Sequence, residues 1–467
     1  MLKPSEVFKH FEKISSIPRG SGNEKQVSDY IKTFAENLNL KTYQDGIYNL
    51  IIYKPASPGF EDKPAVILQA HLDMVCEQNA GTNHNFLTQG LDLYTEGDYL
   101  KARGTTLGAD NGIAVAYLMA ILEDNTLEHP PLEIVLTVEE ESGMTGAANL
   151  DYSKLTGKRL INLDNSKDYQ FILGCAAGTT VEYLLPTKWE VNNAPAYKLS
   201  VKGLIGGHSG DDIEKERGNA IVILGQILAE LNQQGDIKIA AISGGMKVNA
   251  IPRESEATFV SSFDPAEIMD KYKKDFAEKY RATDPGLKIS LEKTTAEKVT
   301  DAGSIINSLL LLPNGVLTVS REIDDLVNAS CNLGVIETLG DAVKVSLMPR
   351  GMSLFYNQHT EVKIRAVAEL VGATATFKGR SPAWPYNPNS ELLKTAVACY
   401  PPIFGNDVKV TAIHAGLECG LFMDKISNLD VISFGPTIHD LHTPDERLSI
   451  SSTLKVWELL KAVLAAL

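Results

Sequence analysis

The chain is short of cysteine, long apolar runs and positive charge, and each shortage removes a class of protein. Its five cysteines, Cys76, Cys175, Cys331, Cys399 and Cys419, are dispersed and lack CxxC spacing. That pattern argues against a disulfide framework or a cysteine-ligated zinc and fits reduced thiols in the cytosol. Cys76 and Cys419 lie near informative motifs, yet each reads as a small buried hydrophobe. No apolar stretch approaches the roughly 18 residues that span a bilayer. The opening MLKPSEVFKHFEKISS is charged and amphipathic, without the apolar core of a signal peptide. A cytoplasmic location with no membrane partner is therefore expected. Lys and Arg number 44 against 59 Asp and Glu, a net charge of −15. Phosphate binding needs a basic surface, so nucleic acid is not an expected partner, and the acidity reads as solubility.

What is present is 467 residues with 44% hydrophobic and 22% charged content. That is globular composition, and too much chain for one ordinary core. Residues 4–14 and 23–38 read as helices, the second after the capping stretch Gly20-Ser21-Gly22-Asn23. KTYQDGIYNLIIYK reads as a hairpin turning at Asp45-Gly46. AVILQA, PLEIVLTV and RLINLD are continuous apolar runs, as in strands buried on both faces, and NGIAVAYLMAILED between the first two has helical periodicity. This alternation implies an α/β sandwich on a largely parallel sheet.

Near residue 186 the pattern changes to strand, helix, strand, strand. A related order recurs around IINSLLLLPNG, DDLVNASCNLGVIETLG and DAVKVSLMPRG. VNAIPRE and VNASCNLG head similar strand pairs, which raises an internal duplication, with KYKKDFAEKYRATDPG ending a helix and linking the halves. SPAWPYNPNS reads as a boundary. The expected organisation is a discontinuous catalytic domain, residues 1–186 plus 383–467, with residues 187–382 inserted as an α+β domain.

Acids and histidines end the apolar runs. His71 and Asp73 close AVILQAHLD, where i and i+2 share a face; His71 can bind a metal while Asp73 fixes its tautomer. Asp110 sits in GADNG, whose glycines let backbone approach closely, although a turn-forming Asp is the plainer reading. Glu139, Glu140 and Glu141 repel one another at a strand end, a cost that a cation would relieve; a solvated acidic loop is the alternative. Asp164 ends RLINLD, where a helix cap would also explain it. His442, in HDLHTPDE, could equally be a surface residue. Side chains at the ends of neighbouring strands converge on the crevice of an α/β sheet. Two histidines and several carboxylates there suit a hydrolytic zinc site with one or two metals.

In order along the chain, FEKISSIPRGSGNE, QAHLDMV, GADNGIA, TVEEESGMTGA, INLDNS, GLIGGHSG, VNAIPRE, LPNGV, IHAGLECG and HTPDE resemble the lid-containing dizinc exopeptidases, the family of carboxypeptidase G, aminoacylase and carnosinase. The resemblance runs nearly end to end. It implies a zinc-exopeptidase-like α/β sandwich with an inserted lid domain. It further implies that His71 and Asp164 complete one metal site, Glu141 and His442 the other, and that Asp110 bridges both. Glu140 would be the general base, and Asp73 and His208 would assist catalysis. Glu139 stands where the family usually has Asp, a position given no metal or proton role. Asn249, Arg350, His414, Gly416 and Glu418 are implied at the substrate: Arg350 for its carboxylate, Glu418 for its free amine, and His414 and Gly416 for the pocket.

The implied activity is a metal-dependent dipeptidase on unblocked dipeptides, including Xaa-His substrates such as β-alanyl-histidine. A hydroxide held by two divalent ions would attack the peptide carbonyl with Glu140 as base. Zn2+ is the expected ion, and Co2+ or Mn2+ also suit the ligands. An N-acyl amino acid deacylase on the same site is the sibling reading. A non-catalytic peptide-binding homologue and a dimetal phosphoesterase are more distant. The resemblance also raises a homodimer through the lid, and leaves open whether His208 acts within one chain or across two.

Overall fold

The computed structural model describes residues 2 and 4–467. The chain divides into two compact units, Met1–Leu173 with Tyr386–Ala412 and Glu418–Leu467, and Gly174–Pro385 with Ile413–Leu417.

The first unit is built on an eight-stranded sheet. Its strands run in the order Lys41–Gln44, Leu50–Lys54, Leu132–Thr137, Val66–His71, Arg159–Asn162, Asp430–Ser433, Gln170–Cys175 and Lys409–Ile413. The four strands from Leu132–Thr137 to Asp430–Ser433 are parallel. Every residue of Val66–His71 and Leu132–Thr137 is buried, which is why these runs are largely apolar rather than alternating, with Gln69 and Glu133 as buried polar exceptions. The strands flanking these four are antiparallel to them. On one side the hairpin Lys41–Lys54 needs only a short loop to return, held by Asp45 accepting from the N–H groups of Ile47 and Asn49, and antiparallel pairing permits that short return.

Helices Ser5–Ser15, Lys25–Asn37, Ala109–Glu123 and Ile450–Ala466 belong to this unit. Ala109–Glu123 is apolar on nearly all faces and buried almost throughout. Tyr117 of that helix stacks on Trp457, with ring centres 5.9 Å apart, and its hydroxyl donates to the Thr453 carbonyl. Helix Lys25–Asn37 differs from expectation at its start: no side chain caps it. Glu24 instead accepts from the N–H groups of Gly22 and Glu139, and Ser21 donates to Asp73. A smaller sheet has the order Ile438–His439, Arg447–Ser449, Tyr99–Ala102, Leu93–Glu96. It thereby pairs the segment carrying His442 with the strand that leads to Asp110.

The second unit has a duplicated βαββαβ plan. The first copy comprises Ala196–Lys202, Ala220–Gln234, Ile237–Gly244, Ser255–Ser261, Ala266–Lys279 and Lys288–Thr294. The second comprises Ala177–Pro186, Gly303–Leu311, Val327–Thr338, Ala342–Gly351, Leu354–Val371 and Thr374–Ser381. In each, the sheet order is fourth strand, first, third, second, and the two second strands pair at Ser243↔Glu337 and Gly244↔Ile336. The motifs that suggested a repeat are not its equivalent positions. VNASCNLG lies in the second strand of its copy, whereas VNAIPRE precedes the third strand of the other. The charged segment near residue 280 ends a helix, but the link between copies comes later, after Lys288–Thr294.

Strand Ala177–Pro186 pairs with Ala342–Gly351 on one side and Thr374–Ser381 on the other. The boundary between the units therefore precedes this strand, at Leu173/Gly174, while the change in sequence character near residue 186 follows it. Among the described residues, no helix is long and apolar enough to cross a membrane.

Candidate metal centre

Strand Val66–His71 lies between Leu132–Thr137 and Arg159–Asn162, with His71 opposite Thr137 and Gln69 opposite Asn162. Parallel strands sit about 4.8 Å apart, so whatever follows these C-terminal ends is brought together. His71 ends its strand. Glu140 and Glu141 come just after Thr137, and Asp164 just after Asn162. Asp110 enters from the start of the buried helix, where the Asp110 and Asn111 backbone is still non-helical.

Asp110 is shared by two imidazoles, one on each oxygen. His71 Nε2 lies 3.2 Å from its Oδ1, and His442 Nε2 lies 3.5 Å from its Oδ2. The same His71 nitrogen is 3.8 Å from Asp164 Oδ1, and the same His442 nitrogen is 2.9 Å from Glu141 Oε1. Ligand atoms of His71, Asp110 and Glu141 all fall within 4.8 Å of one another. The five residues expected as ligands thus form two triads with a common carboxylate. Nitrogen and carboxylate donors in that arrangement fit a pair of divalent cations.

The electrostatics are those of crowded acid. Burial and the Asp110 carboxylate push Asp164 up to about 6. Burial also raises Asp110, but His442 and His71 outweigh it and hold it well below the ordinary range. His442, paired first with Asp110 and then with Glu141, is pushed up to about 11. Glu140 is raised well above its ordinary value, by burial and by the charges of Asp164, Glu418 and Glu141. Among the described residues no Lys or Arg forms an ion pair with these carboxylates, and His71 and His442 are the cationic partners they face, a place a metal would take over.

Asp73 organises the centre from below. Burial raises it, yet the His71 hydrogen bond, the Ser21 hydroxyl and the Glu140 N–H hold it at about 2. Its Oδ1 faces His71 Nδ1 at 3.2 Å and accepts the Glu140 N–H, while its Oδ2 accepts from Glu141 N–H and Ser21. One carboxylate therefore fixes an imidazole and the backbone of two adjacent glutamates.

Two residues that sequence reasoning did not single out hold the Asp110 turn. Arg19 is 2% exposed and donates to the carbonyls of Leu72, Asp73 and Gly108. Glu446 accepts from the N–H groups of Leu107, Gly108, Ala109 and Asp110. A Cβ on Gly108 or Gly112 would come within 2.6 Å or 2.5 Å of the Arg19 guanidinium, which explains the glycines of GADNG. Asn111 donates to Asp164 Oδ1 and the Leu163 carbonyl. PRGSGNE and HTPDE contain Arg19 and Glu446, but a buried arginine bound only to carbonyls leaves no spacing to read.

The remaining expected residues divide between the units. His208, Asn249, Arg350, His414 and Gly416 belong to the second. His208 and Ala250 face each other in a two-residue ladder, and the Asn249 carbonyl accepts from the Ser209 N–H; the Asn249 side chain is exposed. Arg350 is buried, with His208, Ser209 and Met348 as its hydrogen-bond partners and no carboxylate among them. His414 is buried with Nε2 at 2.7 Å from Ser330 Oγ. Glu418 lies in the first unit and is 1% exposed. It accepts from Gln69 and Thr137, and burial pushes it up to about 8. That enclosure does not suit the expected contact with a substrate amine: Oε2 is held by two buried neighbours and the whole side chain is shut away from solvent.

The sequence pattern of peptidase family M20/M25/M40 matches residues 67–466. The chain belongs to this family. It is 34% identical over 475 residues to the cytosol non-specific dipeptidase of Escherichia coli K12, covering 99% of this chain and 98% of the relative. The crystal structure of aminoacylhistidine dipeptidase from Vibrio alginolyticus superposes with a TM-score of 0.89 at 36% identity, over 100% of this chain and 97% of that one. Aminopeptidase PepT from Bacillus cereus shares the fold, with a TM-score of 0.59 at 14% identity over 100% and 99% of the two chains. Membership accounts for the α/β sandwich with its inserted domain.

Proposed function

We propose that this member of the family is a metal-dependent dipeptidase acting on unblocked dipeptides, Xaa-His among them, in the cytosol. The first unit is the catalytic domain and the second the lid. One observation carries the metal assignment: Asp110 presents each of its oxygens to a different histidine, with Asp164 beside one and Glu141 beside the other. The dipeptide assignment rests on near full-length likeness to two proteins bearing that name.

His71, Asp110 and Asp164 would hold one cation and Asp110, Glu141 and His442 the other, with Zn2+ the first expectation and Co2+ or Mn2+ alternatives; when bound they supply Lewis acidity to the scissile carbonyl and the attacking water. The Glu140 carboxylate takes the proton released by that water and returns it to the leaving amine. Asp73 keeps the His71 tautomer with Nε2 directed at the centre. In the lid, the Arg350 guanidinium reads the substrate's terminal carboxylate, and His208, 3.5 Å from it, donates to the developing oxyanion.

A substrate panel tests the reading. β-Alanyl-histidine, two α-dipeptides, a tripeptide and an N-acetyl amino acid would be offered to protein as purified, after chelation, and after metal return. Hydrolysis confined to the dipeptides, abolished by chelator and restored by metal, is expected. Preference for the N-acetyl amino acid would move the assignment to a deacylase.

A further inference from the structure

Glu418 is fully buried, yet one of its oxygens is the end point of an ordered series of hydrogen bonds that leads to a candidate ligand. Gln69 Nε2 donates to Glu418 Oε2 at 2.5 Å, and Thr137 Oγ1 donates to the same oxygen at 2.6 Å. Gln69 Oε1 accepts from Asn162 Nδ2. Asn162 Oδ1 accepts from the backbone N–H of Asp164 at 3.2 Å. Gln69, Thr137 and Asn162 are all buried.

Side-chain amides are nearly symmetric in shape, so a buried pair of them can point either way unless something fixes one end. Here the Glu418 oxygen does so. It must meet a donor, which turns the Gln69 NH2 toward it and leaves Gln69 Oε1 for Asn162. That in turn directs the Asn162 NH2 to Gln69 and its carbonyl to the Asp164 N–H. Glu418 Oε1 has no partner among the described residues. Oε2 therefore remains the acceptor whether the carboxyl is ionised or protonated, because a proton would reside on Oε1. Removing the acceptor takes the shortest contact from each of two buried donors, leaving Gln69 Nε2 only Thr137 Oγ1 and Thr137 Oγ1 only the Ala70 carbonyl, each at 3.3 Å, and loosens the order of the two amides. A reversed Asn162 would present NH2 to the Asp164 N–H, donor against donor.

We propose that Glu418 is a positioning residue. Through Gln69 and Asn162 it sets the backbone of Asp164, and so the preformed geometry of the half-site shared by Asp164, His71 and Asp110. This rests on the metal reading given above. The role differs from a substrate contact, and it accounts for a glutamate enclosed beneath the centre.

The test is Zn2+ titration of metal-free protein against a competing chelator, with thermal unfolding of each protein recorded alongside. Glu418→Leu is expected to weaken the tighter Zn2+ step by about 10- to 100-fold, the usual effect of losing a partner that orients a ligand. Glu418→Gln keeps an acceptor oxygen in the Oε2 place and should stay within about threefold of wild type. Phe422→Leu, a buried change one turn along the same helix, should lower the unfolding temperature and leave Zn2+ affinity unchanged. If Glu418→Leu binds as tightly as wild type, or if Glu418→Gln is as impaired as Glu418→Leu, the positioning role is overturned. If wild type itself takes up no divalent ion, the metal reading fails instead.

Discussion

Arg19 and Glu446 hold the same turn by opposite chemistry. The guanidinium donates to the Gly108 carbonyl, and the carboxylate accepts the N–H of Gly108 and of three residues around it. Asp110 follows at once, so the position of the shared carboxylate depends on this grip. Arg19→Met would take the Arg19 donor from the Leu72, Asp73 and Gly108 carbonyls, of which Gly108 keeps the Gly112 N–H, at about 1–3 kcal/mol for each group left unsatisfied. The expected result is a loss on the order of several kcal/mol in urea unfolding, with weaker metal uptake. Arg19→Lys, which keeps a charge but not the fork, should recover part of both. Full stability in Arg19→Met would contradict the role.

Arg350 has hydrogen-bond partners but no carboxylate among them. If it reads the terminal carboxylate of a dipeptide, Arg350→Ala should raise KM for the free dipeptide by about 10- to 100-fold, the loss of a charge-assisted pair. The same variant should treat a C-terminally amidated dipeptide much as wild type does. Equal damage on both substrates would make Arg350 a structural residue of the lid.

His414 carries a pH expectation. Burial, and then the Arg350 charge, hold its imidazole at about 3, against about 6.5 for free histidine. Between those values the unfolded chain binds the proton and the folded chain does not. The contribution to stability is therefore complete above pH of about 6.5 and is lost as pH falls toward 3, by about 1.4 kcal/mol per unit. Histidine NMR, with His414→Asn to identify the signal, should show no titration of His414 from pH 8 to pH 5. A midpoint near 6.5 would contradict the enclosure.

Much of the centre was legible because its residues end apolar runs. His71, Glu141 and Asp164 terminate or closely follow strands whose burial on both faces makes them continuous in sequence, and neighbouring parallel strands deliver their ends to one place. His442 also follows an apolar run, but only the family resemblance pairs it with Asp110 and Glu141, since no local pattern joins them. Arg19, Gln69 and Asn162 were missed for a physical reason. They act through buried hydrogen bonds to backbone or to other amides, and such partners are set by tertiary contact rather than by spacing. From sequence Glu418 reads as a substrate contact, because a lone glutamate in a glycine-rich string carries no sign of burial. The repeat in the second unit was right as architecture, although the two VNA strings that suggested it occupy different places in their copies.

In the proposed function, ligand and base are separate residues after one strand end, Glu141 facing His442 and Glu140 moving the proton. Metal content and dipeptide hydrolysis measured side by side in wild type and Glu140→Ala test it most directly. Equal metal content with hydrolysis lower by about 10²- to 10⁴-fold is the expected result. Hydrolysis that persists in Glu140→Ala, or metal lost together with the activity, would contradict it.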